Sequence, residues 1–162
     1  MKKTLKILFP VLTLFWMILI FYMSAANAEE STDMSMSVGY TVGMITVDGF
    51  AELPAPEQQS FAEQIDHPVR KTAHFLEYTM LGLLLSIDLL LFFRLTPFKR
   101  FLLSLGLGIL YAATDEMHQL FVSGRSGQFT DILIDGSGVL LGSLLVLIVA
   151  AFFQSKKSPT SK

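Results

Sequence analysis

Arg70, His74, Glu77 and Tyr78 follow one another at steps of four, three and one residues, a spacing that sets them along one face of a helix. Lys71 adjoins them. A second group, Asp115, Glu116, His118 and Gln119, falls within five residues. In a third, Asp131 and Asp135 begin a four-residue stripe that continues through Gly138 and Gly142. Arg125 lies between the second and third groups. The planar fork of arginine suits bidentate contact with phosphate or carboxylate. His74 or Glu77 could act as a general base, with Asp115, Glu116, Asp131 and Asp135 tuning proton transfer or holding a divalent cation. No HExxH or GxSxG motif is present, and the spacing of the acids fits no recognised ligand pattern, so no metal or other cofactor is expected. The chain has no cysteine, which excludes disulfides, thiolate nucleophiles and Cys-based metal sites.

These polar residues must be held by very apolar elements. The 162 residues are 52% hydrophobic and 16% charged, with a mean hydropathy of +0.55, whereas a soluble domain is about 25% charged. Four blocks approach the roughly 20 apolar residues that cross a bilayer: 5–23, 72–93, 101–121 and 129–153. The expected fold is all-α, a polytopic membrane protein with four transmembrane helices and an outer loop, 24–71, between the first and second. Gly138 and Gly142, with Ser143 next, would let another helix approach closely.

Loop charges give an orientation. Nine of the twelve Lys and Arg residues lie at the N-terminus, between the second and third blocks, or after the fourth. The 24–71 segment carries eight acids against Arg70 and Lys71. The positive-inside rule then puts both termini in the cytoplasm and the long loop outside. Residues 154–162 would form a disordered cytoplasmic tail. A rival reading takes the first block as a signal peptide cleaved after Ala26-Asn27-Ala28. Its 17-residue apolar stretch exceeds the usual length of about 7–15, which favours an uncleaved anchor.

Within the outer loop, Val38–Val47 alternates weakly as a strand would. A short helix is expected from Pro56, with Phe61 and Ile65 on one face. On this topology three helices bring ionisable groups to the same outer third of the membrane. Five acids exposed to lipid would be costly together, so they should face inward towards Arg70, Lys71, Arg125 and two histidines. Each group also has a purely structural reading. His74 and Glu77 could be an interfacial pair, Tyr78 a belt aromatic, the acids near residue 115 a helix exit, and Gly124 and Gly127 an outer turn. Asp88 is expected to pair with Arg94. Nothing suggests nucleic acid binding, and the oligomeric state is left open.

RKTAHFLEYTMLG (Arg70 to Gly82) and TDEMHQLFVSGRSGQFTDILIDGSGVLLG (Thr114 to Gly142) resemble the two signature segments of the VanZ-like membrane protein family. The basic pair, His-Phe and Tyr of one segment match Arg70, Lys71, His74, Phe75 and Tyr78. The polar pattern of the other matches Asp115, Glu116, Gln119, Phe121, Gly124, Arg125, Asp131 and Asp135. FYMSA, Phe21 to Ala25, is similar to the end of the family's first span, which also favours the anchor. Ser123 departs from the proline that many relatives carry before Gly-Arg. The resemblance implies a small multi-pass protein of a bacterial-type plasma membrane. Its namesake is associated with resistance to the glycopeptide teicoplanin, and no reaction follows from membership.

Three functions fit these features. One is a cell-envelope protein whose outer pocket takes a lipid-linked or cell-wall-related ligand, with Arg70, Lys71, Tyr78, His118, Gln119 and Arg125 as candidate binding residues. Another is a membrane-embedded acid–base enzyme acting on an isoprenoid-phosphate or peptidoglycan-precursor substrate. A small proton-coupled transporter is disfavoured, because the inner halves of the helices carry only Asp88.

Overall fold

The computed structural model describes residues 2–157, and those residues form helices without strands. The helices are α1 (Lys2–Ser24), α2 (Ala28–Thr46), α3 (Ala55–Phe92), α4 (Pro97–Gln119) and α5 (Phe129–Lys157), with a single 3-10 turn at Phe50–Glu52. Three helices, α1, α3 and α5, are long and apolar enough to cross a membrane. The expected third span is shorter than predicted. Lys99 and Arg100 bracket α4 at one end and Asp115 and Glu116 at the other. The apolar run between them, 101–114, covers about 21 Å, short of the roughly 30 Å hydrocarbon core. The helix stops at Gln119, and Phe121 stands exposed beyond it.

The segment expected to be an irregular outer loop is mostly helical. Asn27 opens α2 with a capping box: its Oδ1 accepts the Glu30 N–H at 2.9 Å, and its own N–H is donated to Glu30 at 3.2 Å. The weak strand pattern of Val38–Val47 gives way to helix because Ser31, Ser35, Gly39 and Gly43 recur every four residues as a small, buried edge. That edge lies on the start of α3. A Cβ on Gly39 would come within 3.0 Å of Ala62, and one on Gly43 would run into the Phe50 ring. The helix expected from Pro56 does start there, with Pro56 in its first turn, but it continues to Phe92. Its 38 residues span about 57 Å, so its first half, paired with α2, extends beyond one membrane-sized layer. Pro68 sits inside it and removes one backbone donor without ending it.

α3 is the central element and packs against each of the other helices. Tyr78 and Leu81 meet Ile20, Ala112 and Val139 in the core. The glycine stripe of α5 makes the closest seam: Cβ atoms on Gly138 and Gly142 would overlap the Phe75 and Thr79 carbonyl oxygens of α3. Towards the opposite end, Ser86 donates to Ser104 (2.8 Å) and Ser104 to Ser143 (2.7 Å), tying three helices through buried hydroxyls. Asp88 does not meet Arg94, which is exposed. It accepts the Thr13 hydroxyl of α1 at 2.6 Å instead. The expected tail is helical as far as Lys157, and residues 158–162 lie outside the described residues.

α1 is bound into this core by directed contacts. Trp16 donates to the Glu77 carbonyl (2.8 Å), Tyr111 to the Met17 carbonyl (2.6 Å) and Gln119 to Ser24 (2.8 Å). Removing α1 would uncover Ile20's partners and strand several buried polar groups. The mature protein is therefore expected to retain residues 2–24. Intact-mass measurement of the purified protein checks this, and a mass corresponding to a chain that begins at Glu29 would contradict it.

Candidate functional site

The Asp131–Gly142 stripe meets α3 at Lys71, His74, Phe75 and Thr79, so only part of the stripe read on α3 faces it. Lys71 forms an ion pair with Asp131, both side chains about one-fifth exposed. One turn further along, His74 Nδ1 lies 3.7 Å from Asp135 Oδ1, and Asp135 is fully buried. The close approach allowed by Gly138 and Gly142 brings these paired groups together, because a bulkier α5 would hold the helices apart.

Arg70 is placed differently from expectation. Its Nη2 reaches Asp66 on its own helix at 2.6 Å, and Asp66 also accepts the Ser35 hydroxyl of α2. Asp66 was not among the predicted residues. Arg125 sits in the turn between α4 and α5. Ala28 N–H donates to the Ser123 carbonyl (3.3 Å), and Arg125 Nε donates to the Ala26 carbonyl (3.2 Å). Gly124 permits this approach with φ +74° and no side chain facing Ala28. Among the described residues Arg125 has no carboxylate within ion-pair distance. Burial and then the nearby Arg70 charge pull its pKa below the ordinary arginine value, while Asp115, Glu116 and Asp131 oppose that shift. An arginine side chain stays protonated regardless, so it is a cation held where an anion would relieve it.

The candidate residues divide into two sets. Arg70, His74, Glu77 and Arg125 line a cavity of about 160 Å³ between the end of α1, α2 and α3. Its other walls are Ser24, Ser31 and Ser35 with the apolar Met23, Met34, Val38, Val69 and Ala73. The second set lies behind the cavity. Asp115, Glu116, Gln119, Tyr78 and Asp135 are all buried, and Asp131 with Lys71 is partly so. Glu116 accepts the Gln128 N–H at 2.8 Å and so holds the start of α5. Asp115 lies near Tyr78, Ser24 and Gln119. Tyr78 is fully buried in the core, which rules out the belt-aromatic reading. His118 is stacked on Phe21 of α1 with ring centroids 4.4 Å apart.

Two carboxylates of the second set are short of partners. Both oxygens of Asp135 and one of Glu116 are buried without a hydrogen bond, whereas Asp115 has the Ser24, Tyr78 and Gln119 donors beside it. Such groups are costly to bury unpaired. A cation cage is a different matter: among the described residues no three His, Asp or Glu side chains converge to hold a metal ion. Sequence reasoning missed Ser24, Ser31, Ser35, Met34 and Asp66. The four-residue spacing Ser31-Ser35-Gly39-Gly43 was the signal that could have revealed α2.

No curated protein and no solved structure matches this chain. A family model described as VanZ/LLP1 matches residues 9–150. That match runs from α1 to near the end of α5 and includes every candidate residue named above. The apolar helices and this match lead to one conclusion: the chain is a membrane protein of the VanZ/LLP1 family.

Proposed function

We propose that the cavity is an outer-face receptor site for the anionic group of a lipid-linked or cell-wall-related ligand. The observation that carries this reading is Arg125, half-buried at the cavity wall, anchored through Nε and lacking a carboxylate partner. Arg70 adds a second guanidinium, while Met23, Met34 and Val38 supply an apolar wall suited to a hydrocarbon tail. In this reading α4 also crosses the membrane, its short apolar run completed by its neighbours, so that four helices span. Both termini face the cytoplasm, and the α2–α3 hairpin stands outside. Teicoplanin susceptibility would change because the ligand belongs to the cell envelope.

The test is lipid mass spectrometry on purified protein. The intact chain is expected to carry an anion-bearing amphiphile. Arg125→Ala, at equal abundance and melting temperature, should retain no more than about a tenth of it, since truncating one partner of a desolvated charge pair costs on the order of 2–5 kcal/mol. Equal lipid content in both proteins would sink the reading. In cells where the intact protein alters teicoplanin susceptibility, the same variant should lose that effect.

A second reading, a membrane-embedded acid–base enzyme, is favoured by the His74–Asp135 pair. His74 lines the cavity with the buried Asp135 carboxylate 3.7 Å from its Nδ1, a separation that would close to a hydrogen bond when substrate is bound. The substrate would be an isoprenoid phosphate or a peptidoglycan precursor. Turnover of an isoprenoid-phosphate lipid by the purified protein, abolished in His74→Gln, would select this reading. Saturable binding without product would select the receptor.

A further inference from the structure

The cavity has a neighbour of opposite charge. A second hollow, of about 460 Å³, lies between the end of α1 and the start of α2 and shares Met23 and Met34 with the first. Its polar wall is Glu30 and Asp33. Ala26 also lines it, and the Ala26 carbonyl is the anchor of Arg125. Arg125 is therefore tethered at the boundary between a hollow lined by Arg70, Arg125, His74 and Glu77, in which Arg70 is already paired with Asp66, and one lined by Glu30 and Asp33.

The acids have a partial explanation in the helix itself. Glu29 and Glu30 occupy the first turn of α2, where negative charge offsets the exposed N–H groups. Glu30 spends one oxygen on the Asn27 cap. Asp33 lies beyond that turn, is exposed, and among the described residues has no ion pair. A purely anionic ligand reaching through both hollows would meet repulsion at Glu30 and Asp33. A purely cationic one would meet it at Arg70 and Arg125, which outnumber the one acid of that wall, Glu77.

We propose that the ligand is a zwitterion, with its phosphate or carboxylate at Arg125 and Arg70 and its ammonium group past Met23 and Met34 against Glu30 and Asp33. This rests on the reading of the first cavity as an anion site. Two sources share the chemistry: an aminated phospholipid headgroup, and a free peptide that carries both termini.

The experiment is equilibrium binding to the full chain in detergent. The probes are phosphatidylethanolamine, phosphatidylglycerol, alanyl-alanine and N-acetyl-alanyl-alanine. The proteins are the intact chain, Glu30→Gln/Asp33→Asn and Arg125→Ala, with melting temperature as the folding control. Gln at position 30 keeps the oxygen that the cap needs. The intact protein should prefer an aminated probe over its non-aminated counterpart by roughly three- to fivefold, the range of partly exposed ion pairs. Preference between the two ethanolamine-type and peptide-type pairs identifies the source. The Glu30→Gln/Asp33→Asn chain should lose that preference while binding the non-aminated probes at least as well. If the preference is absent, or survives in the double variant while Arg125→Ala still weakens every probe, the zwitterion is wrong and the anion site stands. If no probe binds in an Arg125-dependent way, both readings fall.

Discussion

A Gly142→Ala chain is expected to unfold about 3 kcal/mol more easily than the intact protein, although it adds a single methyl group. The Cβ would be built into the Thr79 carbonyl oxygen and close to the Leu83 nitrogen, both of which are backbone atoms of a continuous helix. A flexible side chain could move aside; α3 cannot shift without disturbing Phe75 against Gly138 and the Lys71–Asp131 and His74–Asp135 contacts along the same seam. Gly106→Ala is the matched control. A Cβ there meets nothing within 4 Å, so helix propensity should leave stability equal or raise it slightly. Thermal unfolding of both variants in the same detergent makes the comparison. Equal melting temperatures would show that the α3–α5 seam tolerates separation.

The second large effect is expected at Lys71. Replacing it by Met leaves Asp131 on the α3–α5 seam with its cation gone and with Glu116 and Asp135 among its acidic neighbours. Breaking a well-buried pair from one side costs about 3–5 kcal/mol. Both side chains here keep about one-fifth of their exposure, 22% and 17%, so about 2–3 kcal/mol is the expectation once solvent screening is allowed for. The Lys71→Met/Asp131→Leu pair removes both charges and should recover most of the loss, because an apolar replacement of an ion pair is often neutral. A double-mutant cycle measured by unfolding supplies the coupling. Additive single effects would mean that the two residues do not act as a pair.

Much of the bundle is legible in the sequence, and its legible parts share a cause. Periodicity carries information wherever one helix face is buried in protein. The step from Asp131 to Gly142 is of that kind and meets α3 at Lys71, His74, Phe75 and Thr79, while Arg70 and Glu77 of the other stripe turn to the cavity. Local signals fail where their cost can be met by solvent. Only a short helix was expected from Pro56, in a loop reaching residue 71, yet α3 runs on through Pro68, whose lost hydrogen bond lies in the half of the helix beyond the membrane-sized layer. Val38–Val47 looks weakly like a strand until Gly39 and Gly43 are seen as the places where Ala62 and Phe50 fit. Partner choice is the least legible feature. Arg70 finds Asp66 one turn away, and Asp88 finds Thr13 on α1 where Arg94 is nearer in sequence, because a charge near a helix end can turn to solvent. An outer pocket was legible, but not the third of its wall that Ser31, Met34, Ser35 and Val38 supply from α2.

α3 also has a mechanical consequence. It is one rod of about 57 Å, with the cavity residues Arg70, His74 and Glu77 near its middle and the α2 hairpin fastened to its free end. Arg125 and Met23, on the opposite wall, belong to other segments. The hairpin tip lies about 25 Å along that rod from residue 71. The tip and one wall of the hollow at its base are thus built on a single unbroken helix.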